Sequence, residues 1–350
     1  MPVPARAQVD SVALVGSQVA WSDQAVRPVV RLDRKVVWRA WKVPIPADAA
    51  SSPFYDAGIV QGARVVVGSA RRLAVLHAAN LVLDPKCRKS NPPCMAPTSV
   101  QPLLGEVWVG PPRGPFRRVS GAPRSCPQRA IAVAVDASGG NVLVADRLPA
   151  CEAATASINR ITLIRPGRGR RVLRSSRALV FRAAALAGRY AAWTEESTDV
   201  HGGPRVFSLV VYDLRRRREA YRLGPPEVRI DTLPQLDVQP DGTVAFIAGP
   251  RGAACDGTLG WASRARPTPR FLPVNAIGPP IAASNRVLFA SRSSCTSPEA
   301  PRLVVAALRG GVRTVARPPE LGAVDFDGRR LAFVGEADGR PAIIVRPVRR

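Results

Sequence analysis

The chain has 350 residues, 46% of them hydrophobic, which is ample apolar material for one large domain or two smaller ones and excludes disorder as its dominant state. It carries 51 Lys and Arg against 26 Asp and Glu, a net charge of +25, and no run of about 18 apolar residues that could span a membrane as a helix. Only Lys35, Lys42, Lys86 and Lys89 are lysines; every other cation is arginine, the bias that GC-rich codon usage produces. The charge is read first as a compositionally basic surface and second as the footprint of an anionic partner.

From the N-terminus, MPVPARAQ contains Ala5-Arg6-Ala7, a small-x-small pattern like that before a signal-peptidase cut, with no apolar h-region ahead of it. Two readings stay open here, a leader lost from the sequence or a chance match. The 35 prolines and 28 glycines that follow fall between short apolar runs, which suits many short strands joined by turns. The best helical candidate, Ser176 to Ala187, is interrupted by β-branched and aromatic residues and fits strands at least as well.

Seven related units then follow one another, each an apolar strand, a tight turn marked by Gly or Asn, and a second strand of period 2 ending near an aromatic residue. Their markers are Gly16 (with Trp21), Gly62 (with Val67 in place of an aromatic), Gly140, Gly188 (with Trp193), Gly242 (with Phe246), Asn285 (with Phe289) and Gly328 (with Phe333). The spacings are 46, 78, 48, 54, 43 and 43 residues, and a period in the forties is that of a four-stranded propeller blade. The excess in the second interval is assigned to a polar, Pro- and Cys-containing loop insertion at 84–101. Six units continue with a second hairpin whose last strand alternates Arg with apolar residues, such as FSLVVYDLRRRREAYRL in the fourth. The seventh stops after its third strand, AIIVRPVRR, so residues 1–9 are expected to supply the closing strand of a ring formed by residues 10–350. The prediction is an all-β chain forming a single β-propeller, seven blades of four antiparallel strands, closed by its N-terminal segment so that no sheet edge stays open.

Two units carry a family resemblance in their letters. VQPDGTVAF, Val238 to Phe246, and FDGRRLAF, Phe326 to Phe333, resemble the TolB-type and WD-repeat-like propeller blades of bacterial envelope proteins. Gln239 stands where Ser is usual before Pro-Asp-Gly, and three units lack the Asp. The resemblance implies a scaffold for protein or ligand contacts, usually outside the cytoplasm, with diverse functions.

Six cysteines, even in number and without a C-x-x-C pair, argue against a zinc site. On the blade alignment they fall in long loops, and the pairing drawn from it is Cys87–Cys94, Cys126–Cys151 and Cys255–Cys295. Such bridges require an oxidising compartment and place the chain in the periplasm, at the cell surface or outside the cell. The alternative is six free thiols in a reduced cytoplasm.

No catalytic residue, metal ligand or cofactor site is predicted. The two histidines, His77 in a strand-like run and His201 in DVHGG, make no triad, and G-x-S-x-G is absent. Glu195, Glu196 and Asp199 are expected to share a loop; Asp231, Asp237 and Asp241 cluster around the fifth unit without the alternating oxygens of a calcium loop. The basic runs Arg168, Arg170, Arg171 and Arg215, Arg216, Arg217, Arg218 fall at outer hairpin turns of neighbouring units and are the candidate anion contacts, suited to phosphate or sulfate groups. Tyr212 and Tyr221 are the only flanking aromatics, which weakens a nucleic-acid reading. The functional expectation is a monomeric, non-enzymatic scaffold of the envelope or exterior that binds protein or another ligand through its loop rim. An anion-binding module for polysaccharide, acidic lipid or nucleic acid is the first alternative. A propeller enzyme is the second, and it needs three or more acids or a His converging on the central channel, whereas the inner strands read mostly as Ala, Val, Leu and Gly.

Overall fold

A computed structural model describes residues 1–4, 7–25, 27–86, 97–119, 131–148, 157–165, 168–197, 206–224, 235–248, 257–293, 299–308 and 310–349. The strands follow the period-2 runs of the sequence and pair with their chain neighbours, always antiparallel. The first sheet is β1 (Gln8–Val15), β2 (Gln18–Gln24), β3 (Val29–Leu32) and β4 (Lys35–Arg39). One short helix, α1 (Ala47–Ala50), precedes the second, made of β5 (Tyr55–Ser69), β6 (Arg72–Pro85), β7 (Ser99–Gly110) and β8 (Arg117–Arg118). The third holds β9 (Ile131–Ser138), β10 (Asn141–Leu148), β11 (Ile158–Arg165) and β12 (Gly169–Ser176), and the fourth β13 (Leu179–Ala187), β14 (Tyr190–Ser197), β15 (Val206–Asp213) and β16 (Arg218–Leu223).

The next sheet has seven strands because one of them serves twice. β17 (Gln235–Val238), β18 (Val244–Ala248) and β19 (Gly257–Ser263) lead to β20 (Arg266–Ala283), whose first part pairs with β19 and whose last part pairs with β21 (Arg286–Ser291). The pairing shifts register between Ile277 and Ile281, across Gly278 at φ +76° and two prolines that remove N–H donors from the ladder. β22 (Arg302–Ala307) and β23 (Val312–Ala316) complete this sheet. The last sheet is three-stranded, β24 (Val324–Phe326), β25 (Arg330–Ala337) and β26 (Arg340–Pro347).

The apolar faces are buried between sheets. Seven clusters each join one sheet, or one half of the seven-stranded sheet, to the next. The cluster of Val3, Val12, Leu14, Val19, Trp21, Ala332 and Ile343 joins the last sheet back to the first. The second strands, covered on both sides, are the most apolar, and Trp21, Trp193, Phe246, Phe289 and Phe333 are all buried there. This arrangement fits seven blades. The last sheet is extended at its edge by the N-terminal segment, through Met1 to Val3 alone, since Gln8 and Val9 already belong to β1: Val3 N–H donates to Pro341 (3.0 Å), Ile343 N–H to Met1 (2.8 Å), and Pro2 bridges Ala342.

Several expectations need correction. Gly62 lies within β5 and marks no turn; the hairpin turn of the second blade is at Ala70-Arg71, and the buried Val75 takes the aromatic position. Gly62 is needed for a different reason, since a Cβ there would sit 2.7 Å from Asp10 Oδ2. The excess length of the second blade is carried partly by β5, β6 and β7, so Asp84 and Ser99 to Gln101 lie in strands and not in a loop. Glu195 and Glu196 are on β14, buried, with Glu195 receiving Trp193 Nε1 and Arg174 Nε (both 3.1 Å) and Arg222 Nη1 (2.8 Å).

Candidate functional site

Two places on the ring gather chemically active side chains. The first is the central cavity, about 800 Å³, lined by the innermost strands of the blades. Asp136 on β9, Asp237 on β17 and Asp325 on β24 face it from three alternating blades, a convergence the sequence reading did not find and the one on which the propeller-enzyme alternative depends. Their common signal is an acid at the end of a first strand, just before the turn. In each the Oδ2 accepts a backbone N–H from the innermost strand of the following blade: Leu186 to Asp136 at 2.6 Å, Ala282 to Asp237 at 2.7 Å, Leu14 to Asp325 at 2.6 Å. The Oδ1 of Asp136 and of Asp237 also takes the N–H of the next residue, Ala137 (2.8 Å) and Val238 (2.7 Å). Between the first two blades Asp10 does the same for Ala63 (2.8 Å), beside a reciprocal Ser11–Val65 pair.

These carboxyls touch the cavity yet are surrounded by protein, and desolvation raises them. Asp136 is pushed up to about 6, although bonds from Leu186 and Ala137 and the charge of Arg64 oppose the shift. Asp237 is pushed up to about 8 by desolvation and by the charge of Asp136. Asp325 is raised by desolvation against its bonds from Leu14 and Phe326. Among the described residues no group of three His, Cys, Asp or Glu is placed to hold a metal ion. The chemistry the arrangement can perform is locking: an acceptor reaching across a blade boundary satisfies an inner-strand N–H that has no ladder partner there.

The second place is a cleft of about 430 Å³ where the turns between first and second strands and between third and fourth strands emerge on one face. Arg72, Arg165, Arg168, Arg189 and Arg215 line it, with Gly139, Gly140, Asn141, Gly188 and Leu214. Arg168 and Arg215 belong to the two basic runs singled out in the sequence; Arg72, Arg165 and Arg189 do not, because only the ring brings them there. Arg216 and Arg218 line a smaller neighbouring cleft with Asp213, Glu219 and Arg264. Arg217 occupies the turn apex at φ +58°; Arg170 is exposed on β12, and Arg171 there donates to Tyr212 Oη at 3.3 Å.

Asp213 holds this turn in shape, its Oδ1 taking the N–H groups of Arg215 and Arg216 (both 3.0 Å). Burial pushes its carboxyl up, but those two bonds and the charges of Arg189 and Arg216 outweigh it and leave it below the usual range. The remaining sequence candidates stand apart. His77 is packed inside β6 with Nε2 2.9 Å from Gln61 Oε1 and the rings of Trp38 and Trp41 edge-on, and burial holds it below its ordinary value against the charge of Glu106. Cys87, Cys94, Cys126, Cys151, Cys255 and Cys295 lie outside the described residues, as do His201, Asp199 and Asp231.

The ring is similar to that of the β-propeller domain of the Trilobed protease from Pyrococcus furiosus, at 8% identity and a TM-score of 0.55, over 97% of this chain and 95% of that one. The chain is a β-propeller. The tricorn protease matches over 99% of this propeller but 34% of its own length, at 12% identity and a TM-score of 0.54, and TolB from Acinetobacter baumannii over 87% and 80%, at 12% and 0.44. These likenesses are of fold. The Pyrococcus propeller has an open velcro topology, whereas Met1 to Val3 pair with β26 in this one. No family model matches the sequence, and no curated protein does.

Proposed function

We propose that this propeller is a binding scaffold and not a catalyst, and that it engages an anionic partner through the face that carries the arginine turns. The observation that carries the reading is the contrast between its two polar gatherings. The converging acids of the channel are engaged by backbone N–H groups, while the arginines of the turn face converge without a carboxylate lining their cleft. A surface with this excess of cations attracts acidic partners and speeds their encounter. We further place the chain outside the cytoplasm. The six cysteines, even in number and without a C-x-x-C pair, support this, since three bridges among them would need an oxidising compartment.

The test compares two sets of four charge reversals on retention by an immobilised sulfated polysaccharide. One set changes Arg215, Arg216, Arg217 and Arg218 to Glu; the other changes Arg27, Lys42, Lys86 and Arg147, exposed on the opposite side. The turn-face set is expected to elute at much lower salt than the wild type and the control set to shift little. Equal shifts would reduce the attraction to net charge and remove the reading. The location is tested by counting thiols in protein isolated from its host, where six free thiols would overturn it.

A further inference from the structure

The cleft between the third and fourth blades is more than a basic patch, and what distinguishes it is how two of its five arginines are held. Arg72 reaches over from the second blade and is fixed by a 3.0 Å bond from Nη1 to the Gly140 carbonyl. Arg189 is fixed by a 2.7 Å bond from Nη2 to Tyr190 Oη and lies over the Tyr190 ring, 4.9 Å from its centre. Arg165, Arg168 and Arg215 complete the rim, and among the described residues none of the three has a carboxylate within ion-pair distance. Asp213, which takes the N–H groups of the turn, lies 4.0 Å from the guanidinium of Arg189 and equally far from that of Arg216.

Five like charges facing one concavity, of which only Arg189 has a described carboxylate within 4.0 Å, repel one another, and an anion between them lowers that cost. Guanidinium forks fixed before binding lose little freedom on binding, and they suit the paired oxygens of phosphate and sulfate. The volume, about 430 Å³, is larger than one such group needs and is in the range of small-molecule sites. The lining supplies Asn141 as a neutral hydrogen-bonding partner and no aromatic ring on which a base could stack. We infer that this cleft is a specific binding site for a phosphate or sulfate ester carried on a sugar-sized group. The inference rests on the anionic-partner reading and sharpens it: the ester is recognised at this cleft, whether it arrives as a free sugar ester or as one unit of a polymer.

Calorimetric titrations with inorganic phosphate, glucose 6-phosphate, uncharged glucose and the sulfated polysaccharide test it. The proteins are the wild type, the Arg168→Gln/Arg215→Gln pair, Arg72→Gln, and Arg216→Gln/Arg218→Gln from the neighbouring cleft. Glucose 6-phosphate is expected to bind saturably and more tightly than inorganic phosphate, with no binding of glucose. The first two variants should weaken it at least tenfold at unchanged melting temperature, and the neighbouring-cleft variant by less than twofold. Absence of saturable ester binding to the wild type, or equal loss in both double variants, overturns the inference. If the polymer alone is retained, and retention depends on the turn face as a whole, the anionic-partner reading stands and the specific cleft falls. If the sugar ester binds at the cleft while polymer retention follows net charge alone, the cleft stands, the ligand is a free sugar ester, and the broader face reading falls.

Discussion

The backbone N–H of Leu14 donates to Oδ2 of Asp325 at 2.6 Å, across 311 residues of sequence, and so fastens the last blade of the ring to the first. Asp136 and Asp237 make the same bond one blade boundary at a time, to Leu186 and Ala282. Replacing Asp325 by Ala leaves the Leu14 N–H without its acceptor, and the expected loss of stability is about 1–3 kcal/mol. Urea unfolding at pH 5.5 measures it. Hydrogen exchange should show the Leu14 amide losing protection in Asp325→Ala and less so in Asp325→Asn, which keeps one acceptor oxygen. Unchanged protection of Leu14 would show that the bond fastens nothing.

The channel acids make stability depend on pH with a definite sign. Asp237 is raised from 3.8 to about 8 in the fold, so the folded protein holds this proton more tightly than the unfolded chain. The associated stability is complete below about pH 4 and is lost as pH rises through about 8. Asp136, raised to about 6, loses its share lower down. His77 is lowered and acts with the opposite sign, but only below its ordinary 6.5. Between pH 7 and 8.5 wild-type stability should therefore fall more steeply than that of Asp237→Asn, by up to about 1.4 kcal/mol per pH unit. Parallel unfolding curves for the two proteins across that interval would refute the shift.

Gly242 tests the turn of the fifth blade. It sits at φ +87°, and a Cβ there would lie 2.9 Å from the Tyr190 ring of the preceding blade. Its carbonyl also accepts the Tyr221 hydroxyl at 2.7 Å. Gly139 has φ +56°, and a Cβ added there would have nothing within 4 Å, so Gly139→Ala carries the backbone cost alone, about 1–2 kcal/mol. Gly242→Ala should exceed that loss in chemical denaturation, and the difference measures how far the Tyr190 contact can yield. Equal losses would mean that the blades part without resistance.

Deleting Met1 to Pro4 removes the strand paired with β26 and leaves Arg340 to Pro347 as an open edge. The expected result is a lower melting temperature together with concentration-dependent light scattering on heating, since unpaired edges recruit other chains. A truncated protein that melts like the full chain and scatters no more light than it does would show that the ring does not depend on this closure.

The strands, their order and the ring closure were legible in the sequence because they are local or nearly so. Alternation of period 2 specifies a packed strand, and six of the seven turn markers, Gly16, Gly140, Gly188, Gly242, Asn285 and Gly328, do adopt positive φ. The missing fourth strand after AIIVRPVRR could be counted. Gly62 misled because a glycine required by the close approach of Asp10 looks in sequence like one required by a turn. The channel acids were hidden because Asp136, Asp237 and Asp325 each look like a turn-side residue until the following blade places an N–H against them. The arginine cleft was half visible: Arg168 and Arg215 stand in runs, but Arg72, Arg165 and Arg189 are scattered along the chain. By itself the sequence determined the repeated unit and the way it pairs with its neighbours. Only the tertiary structure decided which side chains share a cavity, since that follows from packing one blade against the next and not from any spacing along the chain.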